Sequence, residues 1–570
     1  MRVLLLAAAL KLSAADLDVL VDIPGLGSVE GIHSRADYPG SGVFVNIPFA
    51  VPPVGAMRWK PPVESEKWEG TLNATVPGPK CMQDSVGAID EERPMSEDCL
   101  SLNIVTPLSA LSSSKKLPVM VFIHGGSYTS GFGGACTSDD TQACWASDAL
   151  VAASNTSIVV VSMNYRLNVF GFLGSKELAG TDAQGTTGNY GIQDQRLALA
   201  WTKKHIGAFG GDGDDITIFG ESAGGNSVIN HLSQKASFSF YQKAIVESGA
   251  YSRGAKTISF AQDQFQTLVN VSGCDADEDL SVLGCLMAVD AEKLLVLAVE
   301  EFTTISQTCG TSWCPTVDQV ELDDFPLDLV DAGDYNTNVP VIAGSNRDEW
   351  AFFALIPPGT DLVPENMTEA QFDALFEASW ELSASEVAEL KSQYDPTVYT
   401  YPATLGAYSQ WWWSTMRVIT DAVPGLGACG VRSFSQMLSD GGSPSVYNYM
   451  LTHPTQAMNQ SEAVTGIPGL IGNGTLFVPH AAELVYVFGD SSGLDAGEEA
   501  DLARSMASYW SAFANSGVPS VAGLPEFPKW SPQNDSILVL DVASAGGIRA
   551  QAHIRKAACD YSDLHPNRPA

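Results

Sequence analysis

The sequence predicts an α/β fold: one large, mostly parallel twisted sheet with helices on both faces. Three observations carry this. The runs "LPVMVFIHGG", "SIVVVSMNY", "DDITIFGES", "KAIVES" and "VPVIAGS" are short, β-branched and bounded by Gly, Asn or Ser, so they read as buried strands. Between two of them, "IQDQRLALAWTKKHI" places leucine, alanine and tryptophan at helical spacing. Finally, "FGESAGG" at 219–225 follows one strand and opens a helical pattern, "AGGNSVINHL". Further on, "PSVYNYML" and "SILVLD" add strands, and "DLARSMASYWSAFANSG" is a helix stopped by glycine. No internal repeat or long low-complexity linker divides the chain, so residues 16–570 are expected to form one domain.

Composition bounds the function. The chain has 570 residues, of which 45% are hydrophobic, and 52 glycines, as expected of a globular α/β protein. Its 66 acidic residues against 30 Lys+Arg give a formal charge of −36, which repels phosphate backbones and argues against nucleic acid as a partner. The same surface favours neutral or cationic small molecules, and it also keeps an exported protein soluble. Residues 1–15, "MRVLLLAAALKLSAA", resemble a secretory signal: Arg2, an apolar run from Val3 to Leu10, then small residues with cleavage near Ala14 or Ala15. Lys11 interrupts the pattern, and a buried N-terminal helix is the competing reading. No later stretch is apolar enough to cross a bilayer, and the polar ending "DLHPNRPA" argues against a lipid anchor. Ten cysteines, an even number, fit disulfides in an exported chain. Sequence proximity suggests Cys136–Cys144 and Cys309–Cys314 and leaves the other pairings open. Asn-x-Ser/Thr sequons at Asn73, Asn155, Asn270, Asn366, Asn459, Asn473 and Asn534 are glycosylation candidates.

The chemistry starts at Ser222. Gly-x-Ser-x-Gly between strand and helix is the pattern of a nucleophile elbow, in which a strained turn lifts the serine oxygen out of the sheet. Chance alone supplies about 0.2 such pentapeptides in a chain of this length, so the partners must decide. A serine hydroxyl needs a base for its proton and donors for the oxyanion. The glycine-rich turn in "VFIHGGSYTSG" offers the amides of Gly126 and Ser127, which can converge with that of Ala223. Where a strand-borne serine leads the triad, an acid and then a histidine follow it in the chain. His231, His453, His480, His553 and His565 follow Ser222. His231 lies too close, within the next helix, whereas His480 sits in a Pro-flanked loop. The cluster Asp348–Glu349 at the end of "VPVIAGSNRDEW" offers an acid, although most such clusters cap or solvate loops.

With these pieces in place, the chain resembles the type-B carboxylesterases, the cholinesterase-like branch of the α/β-hydrolases. The likeness covers nearly the whole mature chain. "NIPFAVPPVGAMRWKPP", "SEDCLSLNIVTP", "NYRLNVFGFL" and the long stretch "GNYGIQDQRLALAWTKKHIGAFGGDGDDITIFGESAGG" carry it. The resemblance implies long insertions that form an active-site gorge, Ser222 as nucleophile, Glu349 as acid, His480 as base, and Gly126, Ser127 and Ala223 as oxyanion donors. It implies the disulfides Cys81–Cys99, Cys274–Cys285 and Cys429–Cys559. The implied reaction is ester hydrolysis through an acyl-enzyme, with each oxyanion donor worth about 3 kcal/mol and no metal or organic cofactor required.

The chain departs from the family at three places. The loop "CMQDSVGAIDEERPMSEDC" contains no aromatic residue, and Ile89 stands where cholinesterases present a tryptophan to a quaternary ammonium, which argues against acetylcholine specificity. Glu221 is read as a cation-attracting group or as a hydrogen-bonded carboxylate near the site. Ser127 replaces a common glycine, and Trp350 replaces the glycine after the acid, where it bears on substrate or local packing. Of Trp411–Trp413, one ring is expected at the gorge and two in the core. The reading is a secreted serine esterase for small-molecule or lipid esters, without a transmembrane anchor. A triacylglycerol lipase of the same fold, a thioesterase or amidase, and a non-catalytic adhesion protein are the alternatives.

Overall fold

The apolar runs form strands, and their arrangement places the candidate site. The computed structural model describes residues 17–83, 93–137, 144–250, 252–275, 280–306, 308–351, 353, 366–396, 409–422, 425–454, 477–491 and 493–563. The predicted leader at 1–15, Ile89, the sequons at Asn459 and Asn473, and His565 lie outside the described residues. The main sheet contains β1 (Leu17–Ile23), β2 (Gly27–His33), β3 (Ser41–Pro48), β4 (Thr71–Asn73), β5 (Ser101–Pro107), β6 (Leu117–Ile123), β7 (Val159–Met163), β8 (Gly211–Glu221), β9 (Lys243–Glu247), β10 (Val341–Asn346), β11 (Val446–Leu451), β12 (Ser536–Leu540) and β13 (Arg549–Ala552). Their order across the sheet is β1-β2-β3-β5-β7-β6-β8-β9-β10-β11-β12-β13, with β4 beside β2.

From β7 to β12 every neighbouring pair is parallel. The flanks are antiparallel: β1, β2, β3 and β5 lead into β7 on one side, and β13 closes the other. This is the α/β-hydrolase architecture. Parallel strands need crossovers, and the helices that supply them cover both faces. The helices used below are α1 (Tyr190–His205), α2 (Ala223–Ser233), α3 (Gln410–Thr420), α4 (Ala428–Asp440), α5 (Glu498–Ser516) and α6 (Lys556–Asp563).

The pleat of β6 shows how both faces are sealed. Val119, Val121 and Ile123 pack with Trp201 of α1 and Leu232 of α2 in one buried cluster. Met120 and Phe122 point the other way, into a cluster with Trp510 and Phe513 of α5. Each such side chain contributes about 1.5–3 kcal/mol by leaving water. In α3, Trp412 and Trp413 are buried, and Trp413 stacks on Phe477 with centroids 4.5 Å apart. Trp411 is half-buried against Phe372 at 5.3 Å.

Five disulfides join Cys81–Cys99, Cys136–Cys144, Cys274–Cys285, Cys309–Cys314 and Cys429–Cys559. The last ties α6 to α4. The described sequons, at Asn73, Asn155, Asn270, Asn366 and Asn534, are all exposed.

A buried ion pair fastens the segment after β7 to α1. The Arg166 guanidinium donates to both oxygens of Asp194 at 2.8 and 2.7 Å, and the Arg166 backbone N–H adds a third bond at 3.0 Å. Next to it, Tyr165 donates to the His124 carbonyl at 2.8 Å, so this anchor reaches the end of β6. Replacing Arg166 by methionine leaves the Asp194 charge buried without its partner. The expected loss is about 3–5 kcal/mol, read as a lower urea midpoint at neutral pH; an unchanged midpoint contradicts the account.

Candidate active site

Ser222 occupies the single residue between β8 and α2. Its φ of 58° and ψ of −124° lie where side-chain-bearing residues are rare, a conformation that costs about 1–3 kcal/mol and persists only under restraint. The restraint is visible. The Ser222 N–H donates to the Glu247 carbonyl at 2.9 Å, and its own carbonyl accepts from the Asn226 N–H at 2.8 Å. A Cβ at Gly220 would stand 2.6 Å from the Gly224 carbonyl carbon, and one at Gly224 would overlap the Ile123 carbonyl. Small residues are therefore required for α2 to start this close to β6 and β8. Ser222 keeps 8% exposure amid fully buried neighbours.

The glycine-rich turn after β6 lies against this elbow: a Cβ at Gly125 would be 2.9 Å from the Ser222 Cβ. Gly126, Ser127 and Tyr128 follow with φ of 101°, 55° and 60°. A planar peptide points its N–H opposite its C=O, so fixing the carbonyls aims the amides. The Gly126 carbonyl accepts from the N–H groups of Thr129 and Ser130 at 2.9 and 3.0 Å, which orients the Ser127 N–H. The Gly125 carbonyl lies 2.8 Å from His124 Nδ1, which orients the Gly126 N–H. Burial pushes the His124 imidazole down to about 4, so it is neutral at pH 7. Among the described residues, the amides of Gly126, Ser127 and Ala223 have no acceptor in the protein. Ala223 is the first residue of α2, where a helix leaves its N–H groups unbonded.

Glu349 and His480 meet directly: His480 Nδ1 is 2.6 Å from Glu349 Oε2. Backbone docking holds them. The Asp348 N–H donates to the Val478 carbonyl at 3.0 Å and the His480 N–H to the Glu349 carbonyl at 3.4 Å. The Val478 N–H returns a bond to Asp348 Oδ2 at 3.1 Å. Asp348 itself is buried against Arg347 and Arg417, at 2.8 and 3.3 Å. The second oxygen of Glu349 accepts from Ser248 Oγ and the Asn346 N–H, both at 2.6 Å. The acidic cluster thus divides its work: Glu349 faces the imidazole and Asp348 docks the loop that carries it. Ser248, Asn346 and the docking role of Asp348 were not foreseen; their only sequence signal is polarity at the ends of parallel strands.

The other face of the imidazole turns toward the elbow. His480 Nε2 is 3.1 Å from Oε1 of Glu221, the residue before Ser222. Ser222 Oγ makes no hydrogen bond to His480 in this structure. Burial pulls the imidazole pKa down, but the charges of Glu221 and Glu349 more than offset it, and the net shift is upward. Burial pushes Glu221 up, against the pull of His480, and Glu483 and Glu349 add to the rise. Glu483, bonded by the Asn346 side chain and by Ser248 Oγ at 3.3 Å, and Glu247, bonded by Trp510 Nε1 at 2.6 Å, are also raised, chiefly by burial. Three buried carboxyls, Glu221, Glu247 and Glu483, and the His480 imidazole are therefore all shifted toward their protonated forms.

Trp350 is half-buried, and its N–H donates to Thr420 Oγ1 at 3.3 Å. Its ring meets Phe353 edge-on at 5.1 Å, and Phe353 in turn packs against the His480 ring at 5.1 Å. Trp350 therefore packs beside the acid without displacing Glu349 from His480. The remaining described histidines after Ser222 are engaged elsewhere: His231 with Ser237 and Gln195, His453 with Glu499, and His553 with Asp535.

A strained serine, a neighbouring turn and helix start whose amides have no acceptor among the described residues, and a carboxylate-bound imidazole lie together at the ends of the parallel strands. Residues 18–562 match the carboxylesterase family. The chain belongs to that family. Pyrethroid hydrolase Ces2a of Mus musculus is 30% identical over 543 residues, which cover 92% of this chain and 88% of that protein. Cocaine esterase of Homo sapiens is 31% identical over 556 residues, 93% of this chain and 88% of that one. An acetylcholinesterase of Leptinotarsa decemlineata is 29% identical over 532 residues, 86% and 78% of the two chains. This carboxylesterase is a carboxylic ester hydrolase, acting on small-molecule esters. Among the described residues, no helix is long and apolar enough to cross a membrane.

Glu221→Gln removes a charge that holds the imidazole up, so His480 should titrate at lower pH than in the unmodified protein. Ring resonances of labelled histidine followed against pH measure this; an unchanged midpoint contradicts it.

Proposed function

We propose that this protein is a secreted serine esterase that works through an acyl-enzyme on Ser222, with Glu349 and His480 completing the triad. The observation that carries the reading is the buried 2.6 Å contact of His480 Nδ1 with Glu349 while Nε2 faces the elbow. That contact makes Nδ1 the donor to Glu349, so that in the neutral imidazole Nε2 is the nitrogen left to accept a proton. The hydroxyl-to-imidazole bond forms when substrate enters, as catalytic hydrogen bonds that are loose in a free enzyme tighten in the complex.

Ser222 Oγ then attacks the ester carbonyl and His480 takes its proton. The amides of Gly126, Ser127 and Ala223 receive the negative oxygen in a water-poor pocket. His480 returns the proton to the leaving alcohol, and water, activated by the same imidazole, releases the acid. Secretion is supported by the disulfides, the exposed sequons and the apolar leader, since disulfides persist in oxidising compartments.

Relatives named for pyrethroids, cocaine and acetylcholine share the family. The choice among such alcohols rests on the pocket. The Cys81–Cys99 loop has no aromatic face for a quaternary ammonium, so neutral esters are the proposed substrates. In a panel of acetyl to palmitoyl esters, Ser222→Ala should lower turnover by about a millionfold, to background, with an unchanged melting temperature. Within the same panel, acetylcholine should be hydrolysed no faster than its uncharged 3,3-dimethylbutyl counterpart. Turnover retained by Ser222→Ala, or a strong preference for the choline ester, overturns the corresponding part of the reading.

A further inference from the structure

The oxyanion turn is restrained from outside by a loop that the reaction itself does not use. Cys309 and Cys314 close this loop, five positions apart, and both are buried. Within it, Thr311 donates from Oγ1 to the Ser127 carbonyl at 3.1 Å. The loop is held in turn. The Ser306 N–H donates to the Thr311 carbonyl at 3.1 Å, and the Gly310 N–H to the Ser306 carbonyl at 2.8 Å. The Gln264 side chain donates to the Ser312 carbonyl at 2.6 Å while accepting from Lys256 Nζ, also at 2.6 Å. Lys256 is fully buried, bonds the Phe172 carbonyl at 2.9 Å and sits 5.0 Å from the Trp313 ring centroid. Thr311 is thus presented from a rigid mount.

The Ser127 carbonyl needs a restraint. Ser127 and Tyr128 both carry side chains in the left-handed region, which costs about 1–2 kcal/mol per residue. Turning the peptide plane between them by half a turn would return Tyr128 to an ordinary negative φ, so strain favours that flip. The flip changes ψ of Ser127 and releases the turn that orients the Gly126 and Ser127 amides beside the elbow. Bonds to the Gly126 carbonyl fix only the preceding plane. The Thr311 hydroxyl grips the plane that strain would turn.

We propose that Thr311 is a positioning residue for the oxyanion hole, locking the Ser127–Tyr128 peptide from the Cys309–Cys314 loop. The proposal rests on the reading of the Gly126, Ser127 and Ala223 amides as oxyanion donors, and the test separates the two. An ester and its thiono analogue, in which sulfur replaces the carbonyl oxygen, are compared as substrates, because donors spaced for oxygen discriminate against sulfur. The unmodified enzyme should favour the oxygen ester by about a hundredfold or more, the scale of one oxyanion donor. A ratio near one overturns the oxyanion reading and Thr311's role with it.

Given the large ratio, Thr311→Val should lower kcat and the ratio together by about tenfold at unchanged KM, less than deletion of a donor costs; Thr311→Ser should restore both. Active sites are counted by fluorophosphonate titration so that misfolded protein does not enter. Thr311→Val with full kcat and full ratio, or with a loss in KM alone, overturns the clamp and leaves the oxyanion reading standing. The double variant Cys309→Ser with Cys314→Ser, which frees the loop and keeps the hydroxyl, should move in the same direction. It carries the test by the same criteria if Thr311→Val does not fold.

Discussion

One buried hydrogen bond, from His480 Nδ1 to Glu349 Oε2, joins segments 131 residues apart, and the rest of the site depends on it. It exists because parallel strands end together. β6, β8, β9 and β10 are neighbours, so the turn after β6, the elbow after β8, Ser248 after β9 and Glu349 after β10 all emerge at one edge. Ligand sites of open parallel sheets lie at this edge for the same geometric reason. The loop bearing His480 has no strand to hold it there. Backbone bonds to Asp348 and Glu349 supply that support, and the charge of Asp348 is balanced by Arg347 and Arg417. The candidate base is positioned by the same two adjacent residues that supply its acid.

Electrostatics then set how the imidazole behaves. In a low-dielectric interior, charges act strongly on one another, and burial alone disfavours every charged form. Around His480 the carboxylates outweigh burial and raise it, while burial outweighs the imidazole and raises Glu221. Both shifts pull the same way at neutral pH, toward keeping protons inside the cluster. Glu221 and Glu349 act most strongly on His480, and Glu483 adds to their effect. Trp510 on α5 and Asn346 at the end of β10 orient Glu247 and Glu483, which links the chemistry to packing on the far face of the sheet.

Much of this architecture was legible in the sequence, for local reasons. Strands buried on both faces read as unbroken β-branched runs, so β6 to β12 stood out. The antiparallel β2 did not, because a half-exposed strand such as "GSVEGIH" carries little apolar signal. Ser222 was legible because the elbow demands small residues at fixed offsets, a steric requirement written within five positions. Glu349 and His480 have no such local signature; position after a strand and in a Pro-flanked loop made the Asp348–Glu349 cluster and His480 candidates, and the resemblance chose Glu349 and His480. Ser248 showed only as a polar residue at a strand end, and Glu483 and Thr311 left no trace, since each is an ordinary polar residue whose meaning comes from a partner far along the chain. Disulfides fell between these cases: the short loops could be read from spacing, and Cys429–Cys559, with a separation of 130, could not.

The claim at the centre is that the elbow hydroxyl, the imidazole and the converging amides act on one carbonyl. A crystal structure of the protein inactivated by an alkyl phosphonate ester tests it most directly, because the adduct copies the tetrahedral intermediate. The account predicts phosphorus bonded to Ser222 Oγ, its charged oxygen within hydrogen-bonding distance of the Gly126, Ser127 and Ala223 amides, and His480 Nε2 turned to the leaving-group side. A phosphonyl group on any other residue, or one on Ser222 with its oxygen directed away from all three amides, contradicts it.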